Sequence, residues 1–150
     1  MDTEYVVMED VNLQSDQEGF KIILKESPQA KRYFIMLVGQ GEYSAIAKEK
    51  GIVDIPRPLT HEVYLMLLET LGILFSRVEI QDLRANTYYA NIFFNKDGQE
   101  MSLDARPSDA VTLALNRKIP ILVNRRLLKW EANYSEEIEI LKEFIKIVKF

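Results

Sequence analysis

The sequence contains no cysteine, only one histidine and only one tryptophan. The absence of cysteine excludes disulfides, thiolate metal sites and a cysteine nucleophile. The sequence also lacks a glycine-rich phosphate loop and the HExxH and G-x-S-x-G motifs, which excludes the commonest nucleotide, zinc and serine-hydrolase sites. Any chemistry in this chain must therefore use carboxylates, cations, hydroxyls or the single histidine.

Long apolar runs are absent as well. None approaches the ~18 residues that a membrane-spanning helix needs. The first five residues are acidic and polar, and they lack the basic and apolar regions of a signal peptide. We therefore predict a cytoplasmic protein that does not associate with membranes.

The composition of the 150 residues, 47% hydrophobic and 28% charged, is typical of one soluble folded domain. A chain of this length buries one core without disulfides or metal ions. The net charge of −4 disfavours indiscriminate nucleic-acid binding, but the charge is unevenly distributed. Residues 104–129 contain six cations and two anions, a local charge of +4 that leaves −8 for the remainder. This segment is either a solvated face or a local basic binding surface.

Hydrophobic periodicity predicts strands and helices that are segregated along the chain rather than alternating. The predicted strands cover residues 4–13, 19–26, 32–38, 73–83, 87–94, 99–104 and 119–123. The predicted helices cover residues 42–50, 59–71, 106–117 and 135–149. The first two strands form a hairpin, and those over residues 73–104 form a three-stranded meander with a turn at Asp97-Gly98. This order favours a compact α+β domain with a mixed or antiparallel sheet and about four helices.

Two of the predicted helices have an apolar stripe at helical spacing. The stripe of helix 59–71 contains Val63, Met66, Leu67 and Thr70-Leu71. The stripe of helix 135–149 contains Ile138, Leu141, Phe144, Ile145 and Val148. We therefore divide the chain into a domain over residues 1–129 and a C-terminal amphipathic helix over residues 130–150, packed on the domain or on a partner subunit.

Two of the predicted helices begin after an Arg-Pro pair, Arg57-Pro58 and Arg106-Pro107. Proline suits the first helical position, and the hydroxyl and acidic side chains that follow can bind the free N–H groups of the first turn. The two starts align with one gap. This similarity indicates either a duplicated strand–helix unit or two independent ways of beginning a helix.

The carboxylates near these helix starts have a chemical interpretation. Oxygens of Glu62, Asp104 and Asp109, with Asp82 as a further candidate, are ligands that Mg²⁺ or Mn²⁺ accept. Two such ions would activate a water and stabilise a leaving oxygen in phosphodiester cleavage. In the structural interpretation, the same carboxylates stabilise turns and helix starts, where the helix dipole favours an anion.

The cations nearby are open to the same two interpretations. Arg57 and Arg106 could hold a phosphate through bidentate hydrogen bonds. His61, the single histidine, could act as a general acid or base. Alternatively, the arginines pair with the neighbouring carboxylates and the histidine has a structural role.

Both Arg-Pro blocks resemble the signature blocks of the bifunctional nuclease domain family. The resemblance covers about residues 5–128, and it departs from the family pattern at Tyr43, where the family usually has alanine, and after Lys129. The matching segments are residues 56–62 (PRPLTHE), 103–110 (LDARPSDA), 39–46 (GQGEYSAI), 78–94 and 119–123.

This resemblance implies a compact α+β fold, cleavage of both DNA and RNA, and assembly as dimers or larger oligomers, of which a dimer is favoured. It identifies motif positions rather than catalytic roles. We therefore predict a divalent-metal-dependent nuclease, with a non-catalytic binding or regulatory module of the same fold as the alternative. The candidate site residues are Glu62, His61, Asp104 and Asp109 for catalysis, the three carboxylates among them for the metal, and Arg57 and Arg106 for the phosphate.

Overall fold

A computed structural model of the protein describes residues 3–131. The predicted helix over residues 135–149 lies outside this range, as does most of the C-terminal unit over residues 130–150. The strands are β1 (Tyr5–Val7), β2 (Asp10–Asp16), β3 (Gly19–Lys25), β4 (Arg32–Val38), β5 (Leu74–Arg84), β6 (Thr87–Lys96), β7 (Gln99–Ala105), β8 (Ile121–Asn124) and β9 (Lys129–Trp130). The helices are α1 (Gln40–Glu49), α2 (Thr60–Thr70) and α3 (Pro107–Arg117), so three helices lie in the described range.

The strands form two sheets, which makes this an α+β domain as predicted. One sheet has the strand order β1-β8-β5-β6-β7, and the other has the order β2-β3-β4-β9. Strands β5 and β8 are parallel, and the remaining neighbours are antiparallel. The described elements include no helix that is long and apolar enough to cross a membrane.

The predicted meander is confirmed as β5, β6 and β7. Two-residue turns join its strands, and both turns have positive φ at each central residue: 49° and 60° at Ala85-Asn86, and 52° and 79° at Asp97-Gly98. Paired positive values are the geometry of a type I′ turn, whose twist matches that of the flanking strands. The Asp97-Gly98 pair therefore predicted the position of this turn correctly.

The predicted N-terminal hairpin is confirmed in part. Strands β2 and β3 pair antiparallel, with Asp16 opposite Gly19. The first predicted strand, however, is two strands that belong to different sheets. Strand β1 pairs with β8 instead, with Tyr5 opposite Asn124, and the chain between β1 and β2 is fixed where Met8 donates its N–H to the carbonyl of Ile121.

One core connects the two sheets, and α3 lies at its centre. Seven of the eleven residues of α3 are buried. Ala110 and Val111, both 0% exposed, belong to the same cluster as Val78 and Ile80 of β5 and Phe34 of β4. Helix α1 packs on α3 and contributes Ile46.

Helix α2 is largely exposed to solvent. Its apolar stripe faces solvent: Val63 is 50% exposed, Met66 48%, Leu67 53% and Leu71 62%. Leu65 alone among the residues of α2 is buried. The reason is that α3 already occupies the position against β5 and β6, so α2 lies at the side of α3 and turns its stripe outward.

The structure does not confirm a duplication. Pro107 is the first residue of α3 and Arg106 is its N-cap. Pro58, in contrast, lies outside α2, because the N-cap of that helix is Leu59 and its first residue is Thr60. The two prolines therefore occupy different positions relative to their helices.

Candidate functional site

The first turns of all three helices line one open cleft of about 550 Å³. Helix α1 contributes Gly41, Glu42 and Ala45, the start of α2 contributes Leu59, Thr60, His61 and Tyr64, and α3 contributes Asp109. The positive end of the helix dipole lies at each of these starts and favours an anionic ligand, whereas the lining residues Glu42 and Asp109 contribute negative charge. The cleft thus joins residues from the two Arg-Pro blocks.

Arg106 lies beside this cleft, where it contacts two of the lining carboxylates. Its Nε lies 2.9 Å from Oδ2 of Asp109, and its Nη1 lies 3.2 Å from Oε1 of Glu42. The hydrogen bond to Asp109 is the main reason that the pKa of Arg106 is raised. The side chain remains 55% exposed, so its guanidinium can reach a ligand while these carboxylates orient it.

Glu62 lies behind the cleft and closes the first turn of α2. Its Oε1 accepts hydrogen bonds from Nζ of Lys48 at 2.5 Å and from the N–H of Leu59 at 3.0 Å. The pKa of Glu62 is lowered, first by the Lys48 hydrogen bond and then by that of the Leu59 backbone. Lys48 also donates to the carbonyl of Arg57 at 3.0 Å, so this cluster ties α1 to the loop before α2.

His61 is oriented by a carboxylate from α1. Its Nε2 lies 2.7 Å from Oε1 of Glu49, and the same oxygen accepts a hydrogen bond of 2.9 Å from Nδ2 of Asn116 in α3. The side chains of Glu49 and His61 are 10% and 24% exposed, which shields their contact from bulk water. Sequence reasoning missed Glu49 and Asn116, because neither belongs to a motif and their partners are distant in the chain.

Glu49, His61 and Glu62 form the group of residues in the described range whose chemistry fits a metal ion. One ligand atom from each residue lies within 4.8 Å of the others, and all three side chains are partly buried. Two carboxylates and an imidazole suit a divalent ion that accepts both oxygen and nitrogen, such as Mn²⁺, better than Mg²⁺, which prefers oxygen. The predicted metal residue Glu62 belongs to this group, whereas Asp104 and Asp109 do not.

Two of the predicted carboxylates lie away from the cleft. Asp104 is exposed on β7 opposite Asn91, and the next residue, Ala105, packs on the core. Because side chains alternate along a strand, Asp104 points to the face of the sheet opposite the helices. Asp82, on β5, contacts Arg84 and Arg126 at 3.3 Å each, which places it in a surface ion-pair network.

The segment with a charge of +4 does not form one basic surface. Four of its six cations contact carboxylates on different parts of the fold, and the pairs are Arg106 with Asp109 and Glu42, Arg117 with Glu69, Arg125 with Glu4, and Arg126 with Asp82. Arg57, which lies outside the segment, is exposed. These contacts favour the interpretation as a solvated face, and the contacts of Arg106 lie beside the cleft.

Comparison with known proteins identifies the family of this chain. The sequence profile of the bifunctional nuclease domain matches residues 22–136, which include both Arg-Pro blocks and every residue of the cleft. The chain is 32% identical over 152 aligned positions to an uncharacterised protein of Mycobacterium tuberculosis, and the match covers 92% of this chain and 90% of that protein.

Plant proteins match over a shorter stretch. The chain is 37% identical over 78 residues to bifunctional nuclease 1 of Oryza sativa subsp. japonica, and 31% identical over 93 residues to bifunctional nuclease 1 of Arabidopsis thaliana. These matches cover 50% and 60% of this chain but only 24% and 27% of the plant proteins. The profile match and the full-length bacterial relative together show that the chain belongs to the bifunctional nuclease domain family.

Proposed function

We propose that this protein hydrolyses phosphodiester bonds of nucleic acids with the help of a divalent cation, at the cleft between the three helix starts. One observation carries the proposal: two sequence blocks that lie 49 residues apart, from Arg57 to Arg106, both contribute to the same cleft. The first block contributes His61, a member of the metal-compatible group, and the second contributes Asp109. The name of the plant relatives supports the choice of reaction.

The cleft offers a place for the phosphate. Arg106 would bind a phosphate oxygen through its guanidinium, because a planar fork of donors matches that geometry. Glu42 and Asp109 would hold the guanidinium in position, as their contacts of 3.2 and 2.9 Å with it suggest. The positive ends of three helix dipoles would add a further attraction for the anion.

Glu49, His61 and Glu62 would hold the cation. When bound, a divalent ion supplies Lewis acidity to a phosphoryl oxygen and lowers the pKa of a bound water. We assign His61 to the ligand set rather than to acid–base catalysis, because ligand atoms of Glu49, His61 and Glu62 lie within 4.8 Å of one another. The ion would replace the hydrogen bond of 2.7 Å between Nε2 of His61 and Glu49. Asn116 would keep the Glu49 carboxylate oriented, which is the usual task of a residue behind a metal ligand. Lys48 would compete with the cation for Glu62.

A cleavage assay tests the proposal. Purified protein is incubated with single-stranded DNA and with RNA, in Mn²⁺, in Mg²⁺ and in chelator. We expect cation-dependent cleavage that falls by about 100-fold in Glu49→Gln and in His61→Gln, the scale seen when a metal ligand or its support is lost. Asp104→Asn is the matched control, because it removes a family-block carboxylate on the opposite face of the sheet, and it should retain full activity.

Three results would overturn the proposal: no cleavage of either substrate, cleavage that chelator leaves unchanged, or an equal loss in Asp104→Asn. Circular dichroism of each variant shows whether it is folded. This matters because Glu49 and Glu62 bridge helices.

A second candidate function is a non-catalytic nucleic-acid-binding module. The hydrogen bonds of Glu62 favour this function. The carboxylate accepts hydrogen bonds from Lys48 and from the backbone of Leu59, so it stabilises the start of α2 without a metal ion. In that case fluorescence anisotropy would show binding of labelled oligonucleotides that are recovered intact, and Arg106→Ala would weaken the binding. Glu49→Gln would then lower thermal stability and leave the affinity unchanged.

A further inference from the structure

The sheet that contains β3 and β4 is buried on both faces. Side chains alternate along a strand, and the core cluster takes Ile22 and Leu24 from β3 and Phe34 and Met36 from β4. The side chains between them point to the opposite face and do not belong to that cluster, yet they are buried as well. Their exposed fractions are 4% for Ile23, 1% for Tyr33, 3% for Ile35 and 9% for Leu37.

The helices of residues 3–131 do not provide this second cover. Ile46 of α1, Leu65 of α2 and Ala110 of α3 all belong to the core cluster, so each described helix packs on the core side. On the opposite face, β2 contributes the exposed polar side chains of Asn12 and Gln14. An apolar row that is shielded from water must be covered by another part of the chain.

The chain leaves the described range at the edge of this face. Strand β9 pairs with β4, with Lys129 opposite Tyr33. The N–H of Glu131 donates to the carbonyl of Lys31 at 2.7 Å, and the Glu131 carboxylate lies 3.8 Å from Nζ of Lys25, whose side chain is on the same face as that of Ile23. The described range therefore ends at Glu131, on the same face of the sheet as the apolar row.

The remaining chain has the length and the pattern to cover that row. Nineteen residues follow Glu131. A fifteen-residue helix is about 22 Å long, and the seven residues of β4 span about 23 Å. The apolar stripe predicted for residues 135–149 supplies the complementary surface.

We propose that residues 132–150 dock on the outer face of β3 and β4, with the stripe that contains Leu141 and Phe144 against Ile23, Tyr33, Ile35 and Leu37. The occupant is the chain's own C-terminal segment, and it closes a second small core. This face belongs to the four-stranded sheet, whereas the cleft is formed by helix starts on the core side, so docking should stabilise the fold without contributing to the proposed reaction.

Engineered disulfides test the docking in the full-length chain. Because the protein has no cysteine, every disulfide reports only on the pair introduced. Ile35→Cys is combined in turn with Leu141→Cys, Phe144→Cys and Val148→Cys, and each double variant is oxidised and run on non-reducing gels. We expect at least one intramolecular disulfide, seen as a monomer of altered mobility, since only cysteines with Cα atoms within about 7 Å can be bridged.

The matched control is Leu67→Cys combined with the same three partners, because Leu67 is exposed on α2 and lies outside the proposed contact. Covalent dimers formed by the Ile35→Cys series alone would overturn the proposal and assign the face to the segment of a second copy. No disulfide with Ile35→Cys, or equal reaction with Leu67→Cys, would also overturn it.

A second measurement does not depend on disulfide geometry. Phe144→Ser in the full chain should lower the melting temperature by several degrees, because the apolar row loses its cover. Glu143→Ser, a change at the neighbouring position off the stripe, should leave the melting temperature unchanged. Equal melting of the two variants would contradict docking through the stripe.

Discussion

Helices α2 and α3 begin at similar sequence blocks but have opposite environments. Each has eleven residues, begins at or just after an Arg-Pro pair and carries a carboxylate in its first turn, Glu62 in α2 and Asp109 in α3. Yet α3 buries seven residues, and α2 buries only Leu65. A similar helix start therefore says nothing about which face of the helix will be buried, because burial depends on what the rest of the chain places around it.

Side-chain size explains which helix took the central position. The buried face of α3 is made of small side chains, among them Ser108, Ala110 and Ala114, and these let the helix approach β5 and β6 closely. The outward face of α2 carries the larger Tyr64 and Leu67. Helix α3 builds the core, whereas α2 holds His61 and Glu62 at the cleft.

A matched pair of valines tests this difference most strongly. Val111→Asp places a charge in the core at a side chain that is 0% exposed, and we expect a loss of about 4 kcal/mol or more in the free energy of unfolding. Val63→Asp changes a side chain that is 50% exposed, and we expect a change within about 0.5 kcal/mol. Urea unfolding followed by circular dichroism measures both, and comparable losses would contradict the described burial of the two helices.

The first-turn carboxylates give the next largest effect. Glu62→Gln weakens the contact with Lys48, and we expect a loss of about 1–2 kcal/mol at neutral pH. The pKa of Glu62 is lowered below its ordinary value of 4.5, so its contribution is present above that pH and is lost as the pH falls below it. The stability difference between wild type and variant should therefore shrink between neutral pH and about pH 3. A stability difference that grows on acidification would contradict the lowered pKa of Glu62.

The corresponding change in α3 should matter less. Arg106 and Asp109 are 55% and 54% exposed, and surface ion pairs of this kind contribute about 0.5 kcal/mol. Asp109→Asn should therefore lower thermal stability only slightly, and 0.5 M salt should remove most of the difference from wild type. A loss as large as that of Glu62→Gln would mean that the two helix starts are equally important for folding.

The smallest effect on folding is expected from the exposed stripe of α2. Leu67→Lys combined with Leu71→Lys should leave the unfolding free energy of the chain nearly unchanged, because both side chains are more than half exposed. The family resemblance predicts that the protein assembles into oligomers. Subunits bury contiguous exposed apolar side chains of this kind, so we predict that the stripe of α2 is the interface. Light scattering over a range of concentrations should show an oligomer for the wild type and a monomer for the variant. An unchanged mass would place the interface elsewhere.

Local signals in the sequence predicted most of the fold. The predicted strands over residues 73–83 and 87–94 agree with β5 and β6 to within about two residues, because alternation and an Asp-Gly turn act over short distances. Local signals could not predict that residues 4–13 are divided between two sheets. Val6 and Val11 are equally suitable for a strand, and the choice of partner depends on β8, which lies more than a hundred residues later.

The candidate site was predictable only where it coincides with a motif. His61, Glu62, Arg106 and Asp109 were identified from the two Arg-Pro blocks, and the structure places them at or beside one cleft. Glu49 was not identified, because its contacts with His61 and Asn116 join residues that are 12 and 67 positions apart. The contact with Asn116 follows from the packing of α1 on α3, which periodicity alone does not specify.

The pairing of β1 with β8 has a consequence for how the domain is made. The β5–β6–β7 meander needs only neighbouring residues and can pair as soon as it has been synthesised, since short loops close quickly. The outer edge of the same sheet joins residues 5–7 to residues 122–124, and the carbonyl of Glu4 accepts the N–H of Arg125. The ribosome must therefore release almost the whole domain before its first strand has a partner. Until then the apolar side of β1 stays in water, so the order of synthesis makes the first strand of the chain the last one to join the sheet.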